Sequence, residues 1–207
     1  VTPQGLSEGS TDRARPPRRV TPQGLSEGST DRARPPRVVL GVSGSIAAYK
    51  ACEVVRALTE AGAQVRCVMT PNAVRFITPL TLSALSRNPV VLDLFDPGLW
   101  DMAHLSLAAW AQRIVVAPAT AALLSRLAAG SAQGALESLI LAARCPVALA
   151  PAMDTEMWKH PATRANVERL RGFGYSIWGP ATGPLASGRR GPGRMIDPAE
   201  VARLALR

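Results

Sequence analysis

The strongest constraint on the fold is a regular exchange of short apolar runs with longer Ala/Leu-rich stretches, beginning at Val38. Residues 38–42 (VVLGV), 64–69 (QVRCVM), 90–92, 114–117 (IVVA), 147–150 (VALA) and 175–178 (YSIW) read as strands. Residues 46–61, 79–86, 105–111, 119–129, 135–143, 163–172 and 198–206 read as helices. In the first helix Ala47, Cys52, Val54, Val55 and Leu58 recur at helical spacing, and Gly62 ends it. Apolar strands separated by helices predict parallel βαβ units. The expected fold is therefore α/β: a doubly wound, Rossmann-like (flavodoxin-like) parallel sheet with helices on both faces. Aromatics make up only 4% of the chain, so Ala, Leu and Val must fill the core. Residues 179–195 read as a Gly/Pro/Arg loop of a length usually kept for function.

The segment before Val38 is of another kind. Residues 1–18 (VTPQGLSEGSTDRARPPR) recur unchanged at 20–37. An identical copy with almost nothing to bury predicts a disordered duplicated tail, 1–37, and a folded domain, 38–207. The net charge is +9, yet the basic residues are scattered and lack interleaved aromatics, which predicts no nucleic-acid partner. No apolar run approaches the ~18–20 residues of a membrane span, and the polar N-terminus predicts no secretory signal. Cys52, Cys67 and Cys145 are too widely spaced for a metal cluster or a disulfide framework. No metal is expected, and idle thiols predict the cytoplasm.

Ligands of such sheets bind at the carboxyl ends of the strands. The first strand runs into Gly41, Ser43, Gly44 and Ser45 and then a helix. Small residues let backbone N–H groups approach an anion, and a helix N-terminus favours negative charge. The spacing is neither GxGxxG nor a Walker loop. Thr70, Pro71 and Asn72 end the second strand at the same edge, where an acid for a ribose is missing, which argues against NAD.

Five stretches appear together in order: residues 41–50 (GVSGSIAAYK), 76–86 (FITPLTLSALS), 104–111 (HLSLAAWA), 117–121 (APATA) and 151–158 (PAMDTEMW). Together they resemble the homo-oligomeric flavin-containing cysteine decarboxylases. That family includes phosphopantothenoylcysteine decarboxylase and enzymes acting on the C-terminal cysteine of ribosomal peptides. The resemblance implies FMN, with FAD the less favoured choice. It places the phosphate near Gly41, Ser43, Gly44, Ser45 and Thr70, and the isoalloxazine near Ser83, Ala117, Pro118, Ala119 and Thr120. It implies His104 as the active-site histidine; the other histidine, His160, reads as a loop residue before Pro161. Met153, Asp154, Met157, Ser187, Arg194 and Met195 fall on the segments implied to hold substrate. A trimer, or a dodecamer of trimers, with sites between subunits is also implied.

Decarboxylation of a cysteine requires oxidation first: a hydride leaves Cβ, and the resulting thioaldehyde accepts the electrons left by CO2. A histidine that titrates near neutrality suits the proton transfer. Two positions depart from the family. Asp154 stands where an Asn holds the substrate carboxylate, and would repel it unless protonated by burial or by the substrate's charge; an alternative role is proton transfer. Ser187 stands where phosphopantothenoylcysteine decarboxylases carry a cysteine that helps return the hydride, so the enethiol is expected to be released. Arg189, Arg190 and Arg194 are candidates for a substrate carboxylate or phosphate. The reading that follows first is oxidative decarboxylation of a peptide ending in cysteine, giving an aminoenethiol for aminovinyl-cysteine formation. Phosphopantothenoylcysteine decarboxylase is the alternative, and an inactive flavin-binding regulatory subunit is a third reading, of another class.

Overall fold

A computed structural model describes residues 34–94 and 103–207. The duplicated tail up to residue 33 lies outside the described residues. Strand β1 (Arg37–Val42) takes in the last residue of the duplicated segment, because Arg37 pairs with Gln64 across the sheet. A 3-10 turn (Ile46–Tyr49) leads into α1 (Lys50–Glu60). Then follow β2 (Gln64–Met69), α2 (Pro79–Ser86), β3 (Val90–Val91), α3 (Ala103–Trp110), β4 (Arg113–Ala119) and α4 (Ala121–Ala128). After α5 (Ala135–Ala142) come β5 (Val147–Pro151), α6 (Thr155–Lys159), α7 (Pro161–Gly172) and β6 (Ser176–Ile177). Strands β7 (Ala181–Pro184) and β8 (Arg190–Arg194) precede α8 (Pro198–Ala205).

Six parallel strands lie in the order β3-β2-β1-β4-β5-β6. The direction of winding reverses between β1 and β4, which opens a crevice beyond their carboxyl ends. Successive side chains of a strand point to opposite faces. Val38, Leu40 and Val42 accordingly pack with α1, α2 and α8 through Val54, Leu82 and Val201. Val39, Ile114 and Val116 pack on the other side with Leu107, Leu123, Leu136 and Val167 of α3, α4, α5 and α7. The expected doubly wound sheet with helices on both faces is the observed one.

Three sequence expectations are corrected. Residues 179–195 are not an open loop: β7 and β8 form an antiparallel hairpin. The stretch 119–129 starts as strand, since β4 runs through Ala119 and Thr120 caps α4. The buried stripe of α1 is Ala51, Val54, Val55 and Leu58, while Cys52 is half-buried. Among the described residues no helix is long and apolar enough to cross a membrane.

Candidate active site

Two clefts open at the carboxyl edge of the sheet. The larger, about 630 Å3, runs from Ser43–Ser45 past Thr70 and Asn72 to the start of α4 and the connection into α5. The smaller, about 440 Å3, lies between the start of α1, the segment after β5 and the β7–β8 hairpin. Both are lined by Ser45, Ile46, Ala152 and Met153, so they adjoin along one wall.

In the larger cleft the β1 and β2 loops meet backbone to backbone. A Cβ on Gly44 would sit 2.8 Å from the carbonyl carbon of Asn72 and 2.9 Å from its oxygen, so only glycine fits. Ser45 caps the 3-10 turn, its hydroxyl accepting from the Ala47 N–H at 3.2 Å. Ser43 is buried at 1% exposure. Its hydroxyl donates to the Pro118 carbonyl at 2.8 Å and accepts from the Thr120 N–H at 2.9 Å. Ser43 therefore ties together the two strands that flank the crevice and shapes the cleft, rather than offering it a free hydroxyl. Thr120 caps α4 in turn, accepting from the Leu123 N–H at 3.3 Å.

Two lining residues of this cleft carried no role in the sequence reading. Glu137 on α5 is 3% exposed, and its carboxylate accepts from Nε of Arg126 on α4 at 2.6 Å. The signal available was an acid inside an Ala/Leu helix, which must find a cation when buried.

In the smaller cleft Asp154 is the N-cap of α6. One carboxylate oxygen accepts from the Glu156 N–H at 3.1 Å, and the other accepts from the Ser187 hydroxyl at 2.7 Å. The Ser187 bond above all, then the Glu156 amide and weakly Arg189, hold this carboxyl below its ordinary value. Burial does not protonate Asp154; the group is ionised. Ser187 rides the hairpin tip, closed by Leu185 N–H to Arg189 O at 2.8 Å and Gly188 N–H to Leu185 O at 3.0 Å. The hairpin is seated by Met153 N–H donating to Gly193 O at 2.9 Å and by Thr155 Oγ1 donating to Pro192 O at 2.8 Å. Gly193, at φ 145°, lies so close to the Met153 carbonyl that no side chain fits there. Met195, 1% exposed, lines the same cleft.

The fold thus gathers Ser43, Gly44, Ser45, Thr70 and Thr120 at one cleft, and Met153, Asp154, Ser187, Arg194 and Met195 at the other. Met157, expected at the substrate, lines the larger cleft instead. Gly41 and residues 117–119 are buried beneath the clefts, Gly41 against Leu136 and Val116. Ser83 on α2 and His104 on α3 line neither cleft. His104 Nδ1 is buried without a hydrogen-bond partner among the described residues. His160 is structural, its Nδ1 accepting from the Ala162 N–H at 3.2 Å to cap α7.

The sequence matches the Flavoprotein family over residues 26–206. The chain belongs to that family. A PPC decarboxylase with one cysteine changed to serine, in complex with pantothenoylaminoethenethiol, superposes with a TM-score of 0.76 at 33% identity, covering 84% of this chain and 97% of that one. The FMN-dependent cysteine decarboxylase SpaF gives a TM-score of 0.70 at 32% identity, covering 83% and 98%. The coenzyme A biosynthesis bifunctional protein CoaBC of Vibrio cholerae is 50% identical over 165 residues, 79% of this chain and 41% of the relative. Its Escherichia coli K12 counterpart is 48% identical over 170 residues, 82% and 42%. The chain spans about two fifths of the length of these curated relatives. The resemblance carried by the five stretches is borne out, and with it the expectation of a flavoprotein. The order of the two substrate readings is reversed: the CoaBC relatives are near 50% identical, the cysteine decarboxylase SpaF 32%.

Proposed function

We propose that this flavoprotein is an FMN-dependent decarboxylase of phosphopantothenoylcysteine, with flavin in the larger cleft and the cysteinyl end of the substrate in the smaller. The observation that carries this reading is the shared wall of the two clefts, Ser45, Ile46, Ala152 and Met153, along which a cofactor and a substrate would touch. The CoaBC relatives support the phosphopantothenoyl conjugate over a peptide. The larger cleft fits FMN: its volume of about 630 Å3 suits one mononucleotide. Gly44, Ser45, Thr70 and nearby N–H groups would hold the phosphate, and Arg126 adds a cation steadied by Glu137. Bound FMN supplies the hydride acceptor that makes loss of CO2 possible.

The protein's own residues orient and shield. Met153 and Met195 give the substrate cleft apolar walls, and the hairpin tip covers it through Ser187. Ionised Asp154 turns a substrate carboxylate away from itself. His104 is the proposed proton carrier at the substrate thiol. It lies outside both clefts of one chain, so this reading includes a homo-oligomer in which another copy brings it to the site.

Ser187 favours a second reading, in which the reaction stops at the enethiol. A hydroxyl is a much weaker acid than a thiol, and the cysteine-to-serine PPC decarboxylase was captured with pantothenoylaminoethenethiol. The test is to incubate FMN-loaded protein with phosphopantothenoylcysteine, and separately with a peptide ending in cysteine, and weigh the products. Loss of about 44 mass units from the conjugate (CO2 alone) supports the main reading, and about 46 (CO2 and two hydrogens) the second. Reaction of the peptide alone overturns both. Ser187→Cys is expected to raise the share of saturated thiol product at least severalfold; an unchanged share removes Ser187 from hydride return.

A further inference from the structure

Among the described residues only one charged side chain is buried outright, and it stands on the wall of the larger cleft. This is Glu137. Its one charged companion on the described lining of that cleft is Arg126. A carboxylate taken out of water is costly even when it is paired. Steadying an arginine does not require that cost: Glu168 and Glu200 hold Arg171 and Arg203 from the surface of the same chain. A negative charge at this wall does nothing to attract a phosphate.

The position of Glu137 is built into the start of α5. It is the third residue of that helix, whose N-cap, Gly134, makes no side-chain cap. The carboxylate folds back over the helix end. Oε1 accepts from Arg126 Nε at 2.6 Å, and Oε2 lies 2.6 Å from where a Cβ on residue 134 would stand, so glycine there makes room for it. An acid in the first turn is also favoured by the helix dipole. Water reaches the two partners unequally: Arg126 is partly exposed and Glu137 is sealed in. Solvent screens the field of the arginine, whereas the low-dielectric wall passes on that of the carboxylate. The pair therefore leaves a net negative field on the cleft.

Accepting a hydride puts one negative charge on a neutral flavin ring, and a buried carboxylate nearby opposes that gain. We propose that Glu137 tunes the cofactor: its buried charge lowers the reduction potential of flavin in the larger cleft and so favours passing the hydride on. This rests on the reading above that the larger cleft takes FMN. Giving up the hydride removes two electrons and one proton together and restores the neutral ring. The main reading returns the hydride to the substrate, and the second hands it to an external acceptor such as dioxygen; a lower potential favours either.

The test titrates FMN-loaded protein against a reference dye without oxygen, alongside Kd for oxidised FMN. Glu137→Gln keeps an acceptor for Arg126 Nε and removes the charge. Relative to oxidised FMN, reduced FMN is expected to bind this variant at least tenfold more tightly than it binds wild type, a rise of about 30 mV for a two-electron couple. A potential that stays or falls overturns the tuning, since a merely structural role would weaken both forms alike. If Glu137→Gln retains no FMN, Arg126→Leu/Glu137→Leu decides: with both charges gone, a potential above wild type upholds the tuning, and one at or below it overturns it. Gly44→Val, whose side chain would collide with Asn72 in the same cleft, separates the two claims. FMN binding untouched by Gly44→Val overturns the placement of flavin, and the tuning with it. An unchanged potential in Glu137→Gln, while Gly44→Val abolishes binding, overturns the tuning alone.

Discussion

At the scale of single residues, burial decides which groups are available for chemistry. Cys67 on β2 is the clearest case. Burial, slightly relieved by Ser86, pushes its thiol up to about 12. Cys52 and Cys145 are half-buried and raised less. The folded chain keeps the Cys67 proton at a pH where the unfolded chain releases it, near roughly 8.5. Its contribution to stability is therefore complete below that pH and is lost as pH rises toward 12. The slope is at most about 1.4 kcal/mol per pH unit. In urea unfolding at pH 8.5 and 10.5, Cys67→Ala is expected to lose about 2–3 kcal/mol less than wild type over that interval. An equal fall in both proteins would show that other groups cause the alkaline loss.

At the scale of elements, the walls of the larger cleft depend on how α4 and α5 are joined. Arg126 and Glu137 span the two helices, and their exposures are unequal: the Glu137 side chain is 4% exposed, the Arg126 side chain 36%. Removing the arginine strands a buried carboxylate, whereas removing the acid leaves a cation that can turn to water. Arg126→Ala is expected to cost about 3 kcal/mol in urea unfolding, more than Glu137→Ala, with Arg126→Leu/Glu137→Leu recovering most of it. Equal costs for the single variants would show a merely superficial pair.

The elements also show what the sequence could and could not disclose. The central strands β1, β4 and β5 were legible because each is built on a short run of Val, Ile, Leu and Ala, and α1 because its stripe has helical spacing. The β7–β8 hairpin was not. Its strands, ATGP and RGPGR, are made of residues that sheets avoid. What makes them strands is their seat on Met153 and Thr155, a tertiary contact with no local signature. Helix α6, five residues long, is too short for periodicity to announce it. Among site residues, the small loop 41–45 announced itself by composition. Lys50, on the wall of the smaller cleft, did not, because no local pattern says which turn of α1 faces a hairpin from the far end of the chain.

At the scale of the molecule, one chain brings the two clefts together along a shared wall and leaves His104 outside both. The proposed homo-oligomer supplies it from a second copy, and this is open to complementation. His104→Asn chains, which lack the proposed proton carrier, and Gly44→Val chains, whose added side chain would collide with Asn72 in the proposed flavin cleft, are expected to regain part of the turnover when co-expressed and purified as mixed assemblies. Complete silence of verified mixed assemblies would place His104 in the same copy as the clefts it serves, or out of the reaction.

The wall shared by the two clefts has a further consequence. Met153 faces both, and its own N–H is bonded to the hairpin that covers the smaller one. A ligand that settles Met153 from one side presents an already ordered surface to the ligand on the other. In the proposed reading the two occupancies are coupled in this way, and by linkage the factor by which flavin would tighten substrate is the factor by which substrate would tighten flavin. A protein built this way retains its cofactor best while it is working.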